Sequence, residues 1–332
     1  MFRLENVVLR GRQRPRLDSV TLTLEGRSTA LLGCSGSGKT SLLNLLAGYE
    51  QPDEGAIVRT GVLQPGGRAG GSLPVYWVPQ DGGLWGHLTV RRQLELVAAD
   101  VDESSVQAAH ATAAELLAEQ FRLRDRLDVL PGELSAGERA RVSLARAIAA
   151  RPAVLLLDEP LTNVDPVHRS EYWDVLRERT LESGVQLVFS SHEPVEVMRT
   201  AERVVCLDRG QVSYDGSLQG LYRDPPDLLT GRLLGPLTWF SAADTARLSA
   251  FCTGLPAECG VRPEMLQLQV VADAGAATAM VLADTQLCGT YSRSLVRSAD
   301  GWETVVLHCT AGPSVAVGSR VRLLFSRPPA HD

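Results

Sequence analysis

Short apolar runs alternate with helical periodicity from the N-terminus to about residue 220. The runs SVTLTLE (19–25), STALLG (28–33), VYWVPQ (75–80), AVLLLD (153–158), VQLVFS (185–190) and RVVCLD (203–208) predict strands. Apolar positions at helical spacing predict helices over 39–47, 90–99, 103–121, 136–150, 166–182 and 194–200. The strands at 28–33, 153–158 and 185–190 are apolar almost throughout. Strands of that kind are buried on both faces, which points to a mostly parallel sheet covered by helices. The stretch 81–150 is mainly helical and reads as an insert on this α/β body.

The pattern changes at YRDPPDLLTGRLLGP (222–236), which is rich in Pro and Gly. Residues 226–258 are expected to form a connector, helical from about 240. Beyond it, MLQLQVV (265–271), TVVLHC (304–309) and RVRLLF (320–325) alternate or run apolar between turn signals. That predicts a small all-β domain over 259–332, after a first domain over 1–225.

Composition narrows the classes without choosing one. Apolar residues make up 44% of the chain, enough for a sizeable core. No apolar run reaches the length of a membrane-spanning helix, about eighteen residues. The N-terminus has no stretch of signal-peptide type. The net charge of −6 and the lack of a basic stripe argue against nucleic acid as a partner. The six cysteines form no C-x-x-C pair, so neither a zinc site nor a disulfide framework is expected, and reduced cysteines in the cytoplasm are the default.

The basic residues carry a sharper signal. Of 33 Lys and Arg, one alone is a lysine: Lys39, in GCSGSGKT (33–40). This stretch fits G-x-x-x-x-G-K-[ST] at every fixed position, with a strand before it and a helix after it. Gly33, Cys34, Ser35, Gly36, Ser37 and Gly38 would turn backbone N–H groups inward around an anion, with Ser41 following at the helix N-terminus. Lys39 would reach the β- and γ-phosphates of a nucleotide, and the Thr40 hydroxyl would hold Mg²⁺. An ammonium is a compact point charge that fits inside a ring of amides; a guanidinium is broad and planar.

Two later segments supply matching chemistry. VLLLDEP (154–160) ends an apolar strand in two carboxylates. Asp158 is placed for the Mg²⁺ shell and Glu159 for polarising a water in line with the γ-phosphate. LSAGE (134–138) opens a helix with an S-x-x-E capping box, Ser135 to Glu138. Gly137 in its first turn costs about 1 kcal/mol relative to alanine. A glycine there leaves N–H groups open to an anion beside the Ser135 hydroxyl, so the segment reads as a second phosphate contact.

Over residues 1–225 the chain resembles the ATP-binding cassette (ABC) ATPases. The resemblance rests on six motifs in the family's order: the Walker A loop GCSGSGKT, Gln80 in VPQD, the signature LSAGE, Walker B VLLLDEP, Asp165 ending LTNVD, and His192 in SSHE. It implies a P-loop NTPase fold: a RecA-like core with a helical subdomain and an antiparallel β portion. It implies binding and hydrolysis of ATP with Mg²⁺. It also implies a head-to-tail dimer in which Ser135 and Gly137 touch the γ-phosphate held by the partner copy's Lys39. Gln80 would sense Mg²⁺ and the attacking water, and His192 would contact the γ-phosphate. CGVRPEMLQL (259–268) further resembles the transport-associated OB-like domain of importer ATPases. That implies a peripheral protein on the cytoplasmic face of the membrane, docked under permease chains and served indirectly by an extracytoplasmic solute-binding protein. Alternatives are a soluble ABC ATPase acting on nucleic acid or ribosomes, and a nucleotide-binding switch with little turnover.

The chain departs from the family's pattern in places. Ala136 and Glu138 stand where the signature usually has Gly and Gln, and Glu138 brings a negative charge toward a phosphate. No aromatic occurs in RGRQR (10–14), where a ring usually stacks on adenine; Arg10 or Arg12 is the expected replacement.

Overall fold

The structure, a computed structural model, describes residues 1–60, 74–98, 107–249, 252, 255, 257–271, 279–309 and 315–326. The chain divides into two compact units, Met1–Leu218 and Gln219–Asp332.

The first unit opens with β1 (Phe2–Leu9), β2 (Leu17–Leu24), β3 (Ser28–Leu32), α1 (Lys39–Ala47), β4 (Glu54–Arg59) and β5 (Val75–Val78). Three helices follow, α2 (Val90–Ala98), α3 (Gln107–Gln120) and α4 (Ala136–Ala149). The unit closes with β6 (Val154–Asp158), α5 (Pro166–Ser183), β7 (Gln186–Ser190), α6 (Pro194–Thr200), β8 (Arg203–Asp208) and β9 (Gln211–Ser217). The start of the expected helix 103–121 lies outside the described residues.

Six strands form one sheet in the order β5-β6-β7-β3-β8-β9, parallel except for the last hairpin. The apolar runs of β3, β6 and β7 lie at its centre, as their composition requires. A second, antiparallel sheet has the order β2-β1-β4. Its inward residues Phe2, Leu4 and Leu22 share one core with Leu42 and Leu46 of α1 and with Leu156 and Val188 of the large sheet. This core holds α1 rigidly behind the loop that precedes it. Among the described residues no helix is long and apolar enough to cross a membrane.

The second unit contains α7 (Leu218–Arg223) at its boundary, then α8 (Leu228–Arg232), β10 (Thr238–Phe240), α9 (Ala242–Leu248) and β11 (Cys259–Val261). A five-stranded antiparallel sheet follows, built from β12 (Leu266–Val270), β13 (Met280–Leu287), β14 (Tyr291–Arg297), β15 (Glu303–Cys309) and β16 (Arg320–Phe325) in the order β12-β16-β13-β14-β15. It agrees with the small OB-like β domain expected from the sequence. The expected connector has structure of its own in this unit: β10 pairs with β11, and Phe240, Leu248 and Cys252 join Leu266, Met280 and Val296 in its core.

The short motif GVRPE (260–264) has a packing role here. Arg262 is 1% exposed. Its guanidinium donates to the carbonyls of Tyr222, Gly231, Gly235 and Pro236 and lies 4.4 Å from the centre of the Tyr222 ring. A buried cation is tolerable only with such a full set of acceptors. A Cβ on Gly260 would come within 2.9 Å of the Pro225 ring, so glycine is what lets β11 approach this segment.

Candidate functional site

The loop between β3 and α1 is shaped by positions that exclude a side chain. Gly38 sits at φ 113°, and a Cβ there would lie 2.7 Å from the Arg16 carbonyl oxygen. Gly33 sits at φ 144°, where a Cβ would meet the Leu207 carbonyl at 2.3 Å. L-residues with a side chain avoid both conformations. The loop therefore wraps back on itself, and Lys39 turns inward at the start of α1. Its ammonium donates to the carbonyls of Gly33 at 2.7 Å and Cys34 at 3.2 Å, and the residue is 6% exposed. Burial pushes the Lys39 pKa down, while Glu159 and Asp158 act against that shift. An anionic phosphate in the loop would restore the balance.

The ends of β6 and β7 bring the acids to the same place. Register pairs Asp158 with Ser190. The buried Ser190 hydroxyl donates to Asp158 Oδ1 at 2.7 Å and accepts from the Glu159 N–H at 3.0 Å. Glu159 sits at φ 48°, a left-handed conformation that a non-glycine residue keeps only when its surroundings hold it. The Ser190 contact is part of that hold. Sequence reasoning missed Ser190; its only signal was a polar residue ending an apolar strand. Glu159 Oε1 meets His192 Nε2 at 2.5 Å.

Lys39, Glu159 and His192 share one cavity of about 560 Å³. Lys39, Thr40 and Ser41 line it from the loop, with Gln80, Glu159 and His192 opposite. Ser35, Gly36 and Gly38 complete the loop side, and Cys34 is exposed beside them. Ser37 is buried, with no partner for its Oγ. Asp158 lies in the adjoining pocket with Thr40 and Gln80.

The residues also fit a divalent cation. Asp158 Oδ2 is buried with no hydrogen-bond partner, while its Oδ1 is taken by Ser190. Thr40 brings a hydroxyl to the lining of the same pocket. Among the described residues no group of three or more His, Cys, Asp or Glu could hold a metal. A cation here would complete its shell from phosphate and water, as Mg²⁺ does.

Three expected contacts lie apart from this cavity: Ser135, Gly137 and Asp165 do not line it. Asp165 caps α5, accepting the Val167 N–H at 3.0 Å. Gly137 has a local reason to be glycine, since a Cβ there would lie 3.0 Å from the Asn163 carbonyl. Ser135 is the N-cap of α4: its Oγ accepts the Glu138 N–H, and Glu138 Oε2 accepts the Ser135 N–H at 2.8 Å. Glu138 Oε1 also accepts from Arg126 Nε at 2.8 Å. The negative charge expected to face a phosphate is thus committed to a cap and an ion pair.

These contacts, led by Arg126 and then by Ser135, hold the Glu138 pKa down from 4.5 to about 2. A depressed acid favours the folded cap at pH above 4.5, and that contribution is lost as pH falls through about 2. Arg126→Ala is expected to move the Glu138 titration up from about 2 toward 4.5, read by carboxyl NMR; an unmoved midpoint would contradict the pairing.

The segment after Gln80 is fastened to α4. Arg146 is buried and donates to the carbonyls of Gly82 and Gly83 and to Gln93 Oε1, with its guanidinium 4.6 Å from the Trp85 ring. The segment that follows Gln80 is thereby tied to α4, whose N-cap is Ser135. Around the other rim, Arg10 is tied to Glu54 at 2.8 Å. Neither Arg10 nor Arg12 lines the cavity; Arg14 does.

Comparison with known proteins agrees with this geometry. An ABC transporter family model matches residues 17–162. The Fe(3+) ions import ATP-binding protein FbpC of Pseudomonas fluorescens is 32% identical over 331 residues, covering 93% of this chain and 91% of that protein. The molybdenum import ATP-binding protein ModC 1 of Azotobacter vinelandii is 42% identical over 208 residues, covering 61% of this chain. The chain spans 56% of that relative's length and 60% of ModC from Paramagnetospirillum magneticum. A dimeric structure of a post-hydrolysis state of the ATP-binding cassette MJ0796, bound to ADP and Pi, matches with a TM-score of 0.57 at 26% identity. That match covers 66% of this chain and 99% of the other.

Proposed function

The chain belongs to the ABC transporter family, and on that premise we propose that it is the ATP-hydrolysing subunit of an importer. One observation carries the reading: Lys39, Gln80, Glu159 and His192 share a cavity that Ser135 and Gly137 of the same chain do not reach. Such a site is completed by a second copy, head to tail, whose Ser135–Gly137 turn closes over the nucleotide. The MJ0796 cassette, dimeric and bound to ADP and Pi, supports a site that works in a dimer.

The chemistry follows from the residues. Lys39 and the loop N–H groups neutralise and hold the β- and γ-phosphates. Thr40 and Asp158 Oδ2 would hold Mg²⁺, which when bound offsets the charge developing on the phosphate oxygens. Glu159 orients the attacking water and takes its proton. His192 fixes the Glu159 carboxylate and faces the γ-phosphate. Ser135 Oγ accepts a bond within its own chain, which leaves its proton for the partner's phosphate. Asp165 stands at the join of the two copies. Only the triphosphate links both faces, so ATP favours the closed dimer and hydrolysis releases it.

Gln80 passes these states to α4 and to the exposed Trp85 surface, where membrane-spanning permease chains dock. The chain then sits at the cytoplasmic face of the membrane, and an extracytoplasmic solute-binding protein delivers cargo on the other side. Cargo choice lies with those partner chains. This one chain is 31–42% identical to proteins named for molybdenum, spermidine/putrescine, sulfate/thiosulfate and Fe(3+) ions. Phosphate release by the purified full chain with Mg²⁺ and ATP, alone and with its permease partner, tests the proposal. Turnover is expected in at least the second case. None in either would favour a nucleotide-binding switch.

A further inference from the structure

Four arginines lie between residues 10 and 16, at 10, 12, 14 and 16. Two are neutralised: Arg10 pairs with Glu54 and Arg16 with Glu50. Arg14 has no carboxylate partner among the described residues, yet it lines the cavity beside Gly36, Lys39 and Thr40. Its Nη2 is 3.6 Å from where a Cβ on Gly36 would stand, within the layer of the phosphate-binding loop itself.

The placement is enforced from both sides. The Arg14 carbonyl lies 2.3 Å from the Cβ position of Gly11, so only glycine admits this turn. Just after it, the Arg16 carbonyl rests against Gly38 and Gly210, at 2.7 and 2.9 Å from their Cβ positions. The Arg16 N–H also donates to the Leu9 carbonyl at 2.7 Å. The backbone that carries Arg14 is thus clamped to the loop that carries Lys39. No aromatic side chain lines the cavity among the described residues, so nothing there offers a ring to stack a base.

We propose that Arg14 is a second phosphate-binding cation of this site, recognising the polyphosphate of the nucleotide and not its base. The proposal rests on the reading of the cavity as a nucleotide site. A guanidinium presents a planar fork of donors that matches two phosphate oxygens, and here it has no competing acid. Lys39 approaches the phosphates from inside the loop; Arg14 covers them from the solvent side.

Calorimetric titration of the full chain with Mg·ATP and with inorganic tripolyphosphate tests this. Arg14→Ala is expected to weaken both ligands by roughly ten- to a hundredfold, the range for a charge-assisted contact. Arg14→Lys is expected to recover only the charge-dependent part of the loss, since an ammonium lacks the fork, and the Arg14→Ala deficit should shrink as salt screens the exposed charge. Arg14 is exposed, so the thermal midpoint should not move. Two results would overturn the proposal: Arg14→Ala binding both ligands like the wild type, or losing ATP while tripolyphosphate is unaffected. Wild type that binds neither ligand would sink the nucleotide reading together with it.

Discussion

Replacing Glu159 by Gln is expected to lower ATP turnover by roughly 10²–10⁴-fold while leaving nucleotide binding intact. On the proposed mechanism the carboxylate takes the proton of the attacking water. It is held in a left-handed backbone conformation by Ser190 and touched by His192. An amide keeps the volume but cannot accept that proton near neutral pH. The substitution is isosteric, so the fold and the Lys39 cradle should be undisturbed. Steady-state phosphate release, set beside a direct measurement of ATP affinity, separates the two effects. A variant that turns over at the wild-type rate would remove Glu159 from the mechanism.

Replacing Lys39 by Arg is expected to weaken ATP binding by roughly 10²–10³-fold despite the retained charge. The ammonium sits buried between the Gly33 and Cys34 carbonyls, where it is already partly desolvated. A guanidinium is wider and planar, and forcing extra volume into a packed site costs about 1–3 kcal/mol. Its donors all lie in one plane, so it cannot keep both carbonyl bonds and reach a phosphate from the same compact position, and a charge-assisted contact is lost. The chain uses arginine at every other basic position, which makes this exchange a clean test of geometry against charge. Equal affinity of the two proteins for ATP would show that charge alone suffices.

The parts of the site built within one segment were legible in the sequence. The Lys39 loop and the Asp158–Glu159 strand end each lie in one short stretch with fixed spacing, between apolar strands buried on both faces. What was not legible depends on register between distant segments. Ser190 matters because parallel pairing sets it against Asp158. Arg14 displaces Arg10 and Arg12 because glycines at 11, 38 and 210 fold its turn onto the loop. Glu138 reads as a charge near a phosphate until Arg126 and Ser135 are seen to engage it. In the second unit, β13 and β14 went unpredicted. MVLADTQL and YSRSLVR interleave polar and charged residues with few buried ones, and pairing defines them more than pattern does.

The central claim is that the site is made from two copies with the triphosphate between them. The most direct measurement is the solution mass of the full chain carrying Glu159→Gln, with Mg·ATP and then with Mg·ADP. The account predicts twice the chain mass with ATP and a single chain with ADP. A mass that does not change between the two nucleotides would contradict it.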